Sequence, residues 1–295
     1  MNRFEPIHDA HAIEQVAMSV QFGGFASDEL FSRIVTAAEP FKGTLPGFSQ
    51  VLGFPMSMGF QLPQGIQLPQ GIQVPIPFPG GVQVLGAPPG AQQVAQTVTY
   101  SNTRPDGTVE RDLAVSRASI TFRSTAYTTW NEVWGGAKRY FDGLIPLFAE
   151  AAQISTVSLN YLDKFYWAGD LKDVDVRSLL RGDSPYISPH VLALQDLWHS
   201  HTGAFIPVDN ETKRLMNVNI DSVEDSPKGV LRRVVMIATI LTDMFNQPGY
   251  VAKPMTCAES VTAFDEHLGK LHSESKRVFS RVINDAMCLR IGIVS

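Results

Sequence analysis

The chain has 295 residues, 44% of them hydrophobic and 18% charged, which supplies enough apolar material for one large domain or two small ones. Its formal net charge is -5, and its basic residues are scattered rather than clustered, in adjacent pairs such as Arg232–Arg233 and Lys276–Arg277, so the electrostatic stripe of a nucleic-acid binder is missing. Cys257 and Cys288 are too few for a disulfide framework and show no Cys-x-x-Cys spacing for zinc.

Residues 1–17 mix charges, Pro6 and two histidines, unlike a signal peptide. No uncharged apolar run reaches the roughly 18–20 residues of a membrane-spanning helix, and the expected compartment is the cytoplasm. Residues 12–22 alternate, with Val16, Met18, Val20 and Phe22 on one side, and predict a strand. Ser27 is placed as the N-cap of a helix that opens on Asp28 and Glu29 and ends near Pro40.

Between Lys42 and Arg104 the chain carries no charged side chain, and residues 43–100 are taken as a low-complexity insertion. Its centre repeats Gln61-Leu-Pro-Gln-Gly-Ile66 and Gln67-Leu-Pro-Gln-Gly-Ile72 and then decays. Leu62, Ile66, Leu68, Ile72, Val74, Ile76 and Phe78 fall at even positions. That period of two predicts extended backbone, while the prolines keep it off a central strand. An edge strand, a polyproline-like arm and disorder all fit. The apolar positions are the expected interaction surface, docking on another subunit or a protein partner. A membrane-inserting hairpin turning at Gly80–Gly81 is disfavoured by the same prolines.

Beyond it, Asp106-Gly107 marks a hairpin turn before an alternating stretch over residues 109–123. Thr129-x-x-Glu132 predicts a capping box opening a helix whose stripe includes Trp130, Trp134, Phe141 and Leu144. A strand follows over 154–167, then a short helix over 174–180. Strand-like runs at 190–201, 214–221 and 231–245 suggest an antiparallel meander, and a last helix is expected over 258–289. The expected fold class is α+β: antiparallel sheet packed against two long helices, as a single domain over 1–295 or two similar halves at 1–153 and 154–295.

Several short motifs occur in a characteristic order. They are the 12–22 strand, Tyr127-Thr-Thr-Trp130 with Val133, Val157-Ser-Leu-Asn-Tyr-Leu162, and Leu271-His272 with Phe279. This layout resembles a widespread uncharacterised bacterial family of sporadically distributed proteins of about this length. The resemblance implies no reaction mechanism. The patchy distribution it implies is that of mobile-island or defence-associated genes. The chain departs from the pattern at Leu159-Asn160-Tyr161-Leu162-Asp163, where the family's strand reads Leu-Arg-Tyr-x-Asn.

No phosphate loop, dinucleotide fingerprint, nucleophile elbow or His-Glu-x-x-His motif occurs. The most suggestive cluster is Asp196-Leu-Trp-His199-Ser-His201. On a strand His199 and His201 share a face, with Asp196 opposite, and a metal there needs further ligands such as Asp209. Two solvated histidines at a strand end are the plainer account. His267 and His272, five apart on a helix, do not share a face and are expected in structural or solvent roles. Asp163 and Lys164 are expected as an ion pair at the end of their strand, and Trp130 and Trp134 as core or interface. The sequence thus favours a non-catalytic interaction or sensing protein, homo-oligomeric, with no cofactor, no nucleic acid and no membrane. The alternative is a metal-dependent hydrolase using His199 and His201.

Overall fold

Alternation builds the sheet. In β2 (Ile13–Phe22) and β7 (Ile154–Ala168) every second side chain is buried: Val16, Met18 and Val20 on one, Val157, Leu159 and Tyr161 on the other. The computed structural model describes residues 3–53, 94–226, 231–245 and 256–293. Within them lies a ten-stranded sheet whose neighbouring strands all run antiparallel. The other strands are β1 (Arg3–Pro6), β3 (Gly47–Gly53), β4 (Val94–Thr103), β5 (Val109–Ser116), β6 (Ser119–Ser124), β8 (Trp198–Pro207), β9 (Lys213–Asp225) and β10 (Arg232–Met244).

The order across the sheet is β3-β4-β5-β6-β2-β7-β10-β9-β8, with β1 also on β7. β2 and β7 form the central seam. Outward from β2 run β6, β5, β4 and β3, and outward from β7 run β10, β9 and β8, so on both sides the last strand of the series lies against the first. β1 and β2 lie end to end along one edge of β7, at Phe165 to Ala168 and at Ile154 to Asp163 respectively. Between them Ile7 N–H and the Ala12 carbonyl still bond to the backbone of Lys164, residues 8–11 loop out of the sheet, and the return is marked by a register shift between Ile13 and Gln15.

Three helices, α1 (Asp28–Ala38), α2 (Trp130–Ala149) and α3 (Cys257–Ser280), cover one face, α2 lying against both of the others and α3 over β7 and β10. The core sits between them, where Phe141, Leu144 and Ile145 of α2 meet Phe264, Leu268 and Leu271 of α3, all essentially inaccessible. The opposite face is half-buried and polar, with Ser158 and Thr242 sharing a hydrogen bond of 2.8 Å across β7 and β10.

Several expectations change. The margins of the 43–100 segment are the strands β3 and β4. The repeat, with Leu62, Ile66, Leu68, Ile72, Val74, Ile76 and Phe78, lies outside the described residues. The 190–201 run is not one strand: Pro189, whose fixed φ suits a first turn, opens a 3-10 turn over Pro189–Ala193, and β8 begins at Trp198. β8 runs on to Pro207 because β9 pairs with it throughout, Gly203 admitting the Asn217 side chain where a Cβ would stand 2.5 Å from its oxygen. Residues 174–180 hold one 3-10 turn, Val176–Ser178, which follows another at Leu171–Asp173, rather than a helix. Helix α3 stops at Ser280, and Asn284 starts a separate α4 (Asp285–Arg290), accepting from the Met287 N–H and donating to the Ser178 carbonyl. The Asp106-Gly107 turn is in place between β4 and β5, Gly107 at a φ of 85° that favours glycine.

Thr129 does cap α2, but Glu132 takes the Thr128 hydroxyl instead of closing the box. The reciprocal capping box is on α3: Thr256 Oγ1 accepts from Glu259 N–H and Glu259 accepts from Thr256 N–H at 2.7 Å. Thr256→Ala therefore lowers stability by about 1 kcal/mol in urea unfolding, and a change indistinguishable from zero would show that the cap is idle.

Candidate functional site

His199 and His201 share one face of the edge strand β8, both exposed, with ring centroids 5.4 Å apart. His201 Nε2 lies 3.5 Å from Asp221 Oδ1. Asp196 is not on the strand's other face: it stands 94% exposed in the preceding loop, 3.9 Å from Arg233. Asp209 belongs to a different cavity, beside Thr212 and His267, and its carboxylate accepts from Glu211 N–H. Among the described residues no group of three or more His, Cys, Asp or Glu is placed to hold a metal ion.

A more developed site forms where residues 8–11 loop out beside β7. On β7 the inward positions 157, 159, 161, 163, 165 and 167 are all buried, so the same alternation that buries Leu159 buries Asp163, 4% exposed. Asp163 is therefore no strand-end residue, and it does not pair with Lys164. Lys164 points to the opposite face, bound to Glu14 at 3.3 Å and Asp225 at 3.0 Å. Over Asp163 lies a cavity of about 260 Å³. Its walls come from five segments: the returning loop at His11 and Ile13, the approach to α2 at Tyr127 and Trp130, β7 at Tyr161, α3 at His272, Ser275 and Phe279, and the stretch after Arg290 at Ile291 and Ile293. Lys276, Thr128 and Ala10 stand exposed at its mouth.

The walls are held by their own contacts. Trp130 stacks on His272 with centroids 4.2 Å apart and planes 3° from parallel. Tyr161 Oη and His272 Nδ1 share a hydrogen bond of 3.0 Å, and Tyr127 meets Tyr161 edge to face at 6.0 Å. His11 Nε2 donates to the Tyr127 carbonyl at 3.1 Å, which leaves its buried Nδ1 as an acceptor without a partner in hydrogen-bond geometry. The motifs that carried the sequence resemblance, around Tyr127, Trp130, Tyr161, His272 and Phe279, thus meet at one cavity.

Its electrostatics follow from burial. Among the described residues no hydrogen bond or ion pair reaches the Asp163 carboxyl, and burial pushes it up to about 8, so it is mostly protonated at neutral pH. Burial, and then the Lys276 charge, push the His272 imidazole down to about 4, so it is neutral. Burial and then His8 lower His11. An acid that holds its proton and a base that refuses one therefore line the same space.

His267 is elsewhere: its Nδ1 lies 2.9 Å from Asp243 Oδ2, and Asp243 is bound in parallel by Arg214 Nε at 2.6 Å and Nη2 at 3.0 Å. This triad ties α3 to β9 and β10. No family model, no curated protein and no solved structure matches the chain.

Proposed function

We propose that this is a small-molecule-binding protein of the sensing kind, whose ligand enters the cavity above Asp163. The observation that carries the reading is Asp163 itself: a carboxyl buried at the floor of an aromatic-walled cavity and given no partner among the described residues. An unpaired buried polar group costs of order 1–3 kcal/mol, and such a cost is kept where a ligand supplies the missing partner. The rigid Trp130–His272 stack gives the site a preformed shape, and the absence of a familiar catalytic motif is in keeping with binding.

A screen of small compounds by thermal unfolding tests this. Stabilising compounds are expected, they quench tryptophan fluorescence, and Ala10→Trp, which fills the exposed mouth, abolishes both effects. Compounds whose stabilisation survives Ala10→Trp, or no stabilising compound at all, would count against the cavity as the site.

A second reading, an acid–base enzyme, is favoured by one observation: Asp163 and His272 sit in the same cavity with protonation states pushed apart. Consumption of a bound compound by the wild type and not by Asp163→Asn would select it.

A further inference from the structure

The acceptors and donors around the cavity are unequal. Lining it are the Asp163 carboxyl and His11, whose buried Nδ1 has no hydrogen-bond partner among the described residues. Of the other polar groups lining it, Tyr161 is engaged with His272 and the His11 Nε2 with Tyr127, while Ser275 adds a buried hydroxyl able to donate or accept. Among the described residues no cation reaches the floor. Lys164 lies on the other face of the sheet, and Lys276 stands exposed at the mouth. The walls are the rings of Tyr127, Trp130, Tyr161 and Phe279, and aromatic faces attract cations.

We propose that the occupant of this cavity is an organic cation with N–H donors, an amine or an amidine-type base, whose charged nitrogen seats against the Asp163 carboxylate. The proposal rests on the reading of the cavity as a ligand site. An anion would find no cation among the described residues at the floor and only the Asp163 O–H to meet it, and a purely apolar ligand would leave both groups unpaired. A cationic nitrogen answers both, forming a charge-assisted hydrogen bond to Asp163 with an N–H left for His11. The floor carboxyl carries its proton in the free protein at neutral pH, so seating a cation there releases that proton to solvent. The other titratable groups facing the site are Tyr127, Tyr161, His11 and His272, with His8 and Lys276 nearby.

The test is calorimetry on the full chain at pH 7 in two buffers of different ionisation enthalpy. The probes are benzylamine and benzamidine as cations, benzyl alcohol as the neutral analogue and benzoate as the anion. Both cations are expected to bind with about one proton released, and Asp163→Asn is expected to weaken them about tenfold or more. Benzyl alcohol or benzoate binding as tightly as benzylamine, or cation binding unchanged by Asp163→Asn, overturns the assignment. In that case quenching that is lost in Ala10→Trp still leaves the cavity standing as a site. Failure of both cations to bind by about 10 mM overturns the proposal as well, and circular dichroism of the Asn variant separates lost binding from lost fold.

Discussion

Replacing Arg214 by methionine is expected to lower the unfolding free energy by about 3–5 kcal/mol. Arg214 is 9% exposed and Asp243 0%, and the two make parallel hydrogen bonds of 2.6 and 3.0 Å. Burial opposes ionisation of Asp243, yet His267 and Arg214 hold its carboxyl below the ordinary carboxylate range. Methionine keeps the volume and removes the fork, leaving a buried carboxylate with His267 as its one remaining partner. Removing both charges, in Arg214→Met with Asp243→Leu, leaves no uncompensated ion, and most of the loss is expected to return. Urea unfolding of the two variants decides it. A single variant costing under about 1 kcal/mol would mean that water already screens the pair.

The second large effect is on pH dependence. The Asp163 carboxyl is raised in the folded state, to about 8 against an ordinary value of 3.8. The folded chain therefore binds a proton that the unfolded chain has lost, and stability falls as pH rises between those values. His272 has the opposite sign. Its folded value is lowered to about 4 from 6.5, so its contribution rises with pH up to 6.5 and then stops. Below 6.5 the two slopes oppose each other, and above it Asp163 acts without that offset. Wild-type stability is expected to fall by about 2 kcal/mol from pH 6.5 to 8, at about 1.4 kcal/mol per unit. Asp163→Asn, which has no proton to lose, removes this fall and gains most at pH 8. Urea midpoints across that range measure it, and equal slopes in both proteins would show that Asp163 is ionised and solvated.

Asp163 also shows where the sequence was read too coarsely. The strand around it was legible from Val157, Leu159 and Tyr161, and parity alone places residue 163 on their side. The charge-bearing pair Asp163-Lys164 suggested a strand end, because two adjacent charges rarely interrupt a core strand. The alternation resolves that by sending the two side chains to opposite faces. The helix stripe of α2 and the Gly107 turn were likewise legible, since both depend on local spacing. The cavity was not, because its walls come from segments far apart in the chain and no short motif spans them. Nor was the break before α4 legible, since it depends on Asn284 reaching the Ser178 carbonyl. The His199–His201 pair was placed on one face correctly, but its third ligand had no basis in spacing, and Asp209 lies at another site.

The seam between β2 and β7 has a consequence for the order of assembly. β4, β5 and β6 are joined through short turns, as are β8 and β9, so these hairpins can zip from local contacts at little loop-closure cost. The seam instead joins Ile13 to Asp163, across about half the chain, and contacts of such separation form slowly. Asp163 lies on that seam, so its carboxyl loses water only when the two series close on each other. A ligand bound there would act as a clasp on the slowest-forming junction, slowing its opening while leaving the hairpins on either side untouched.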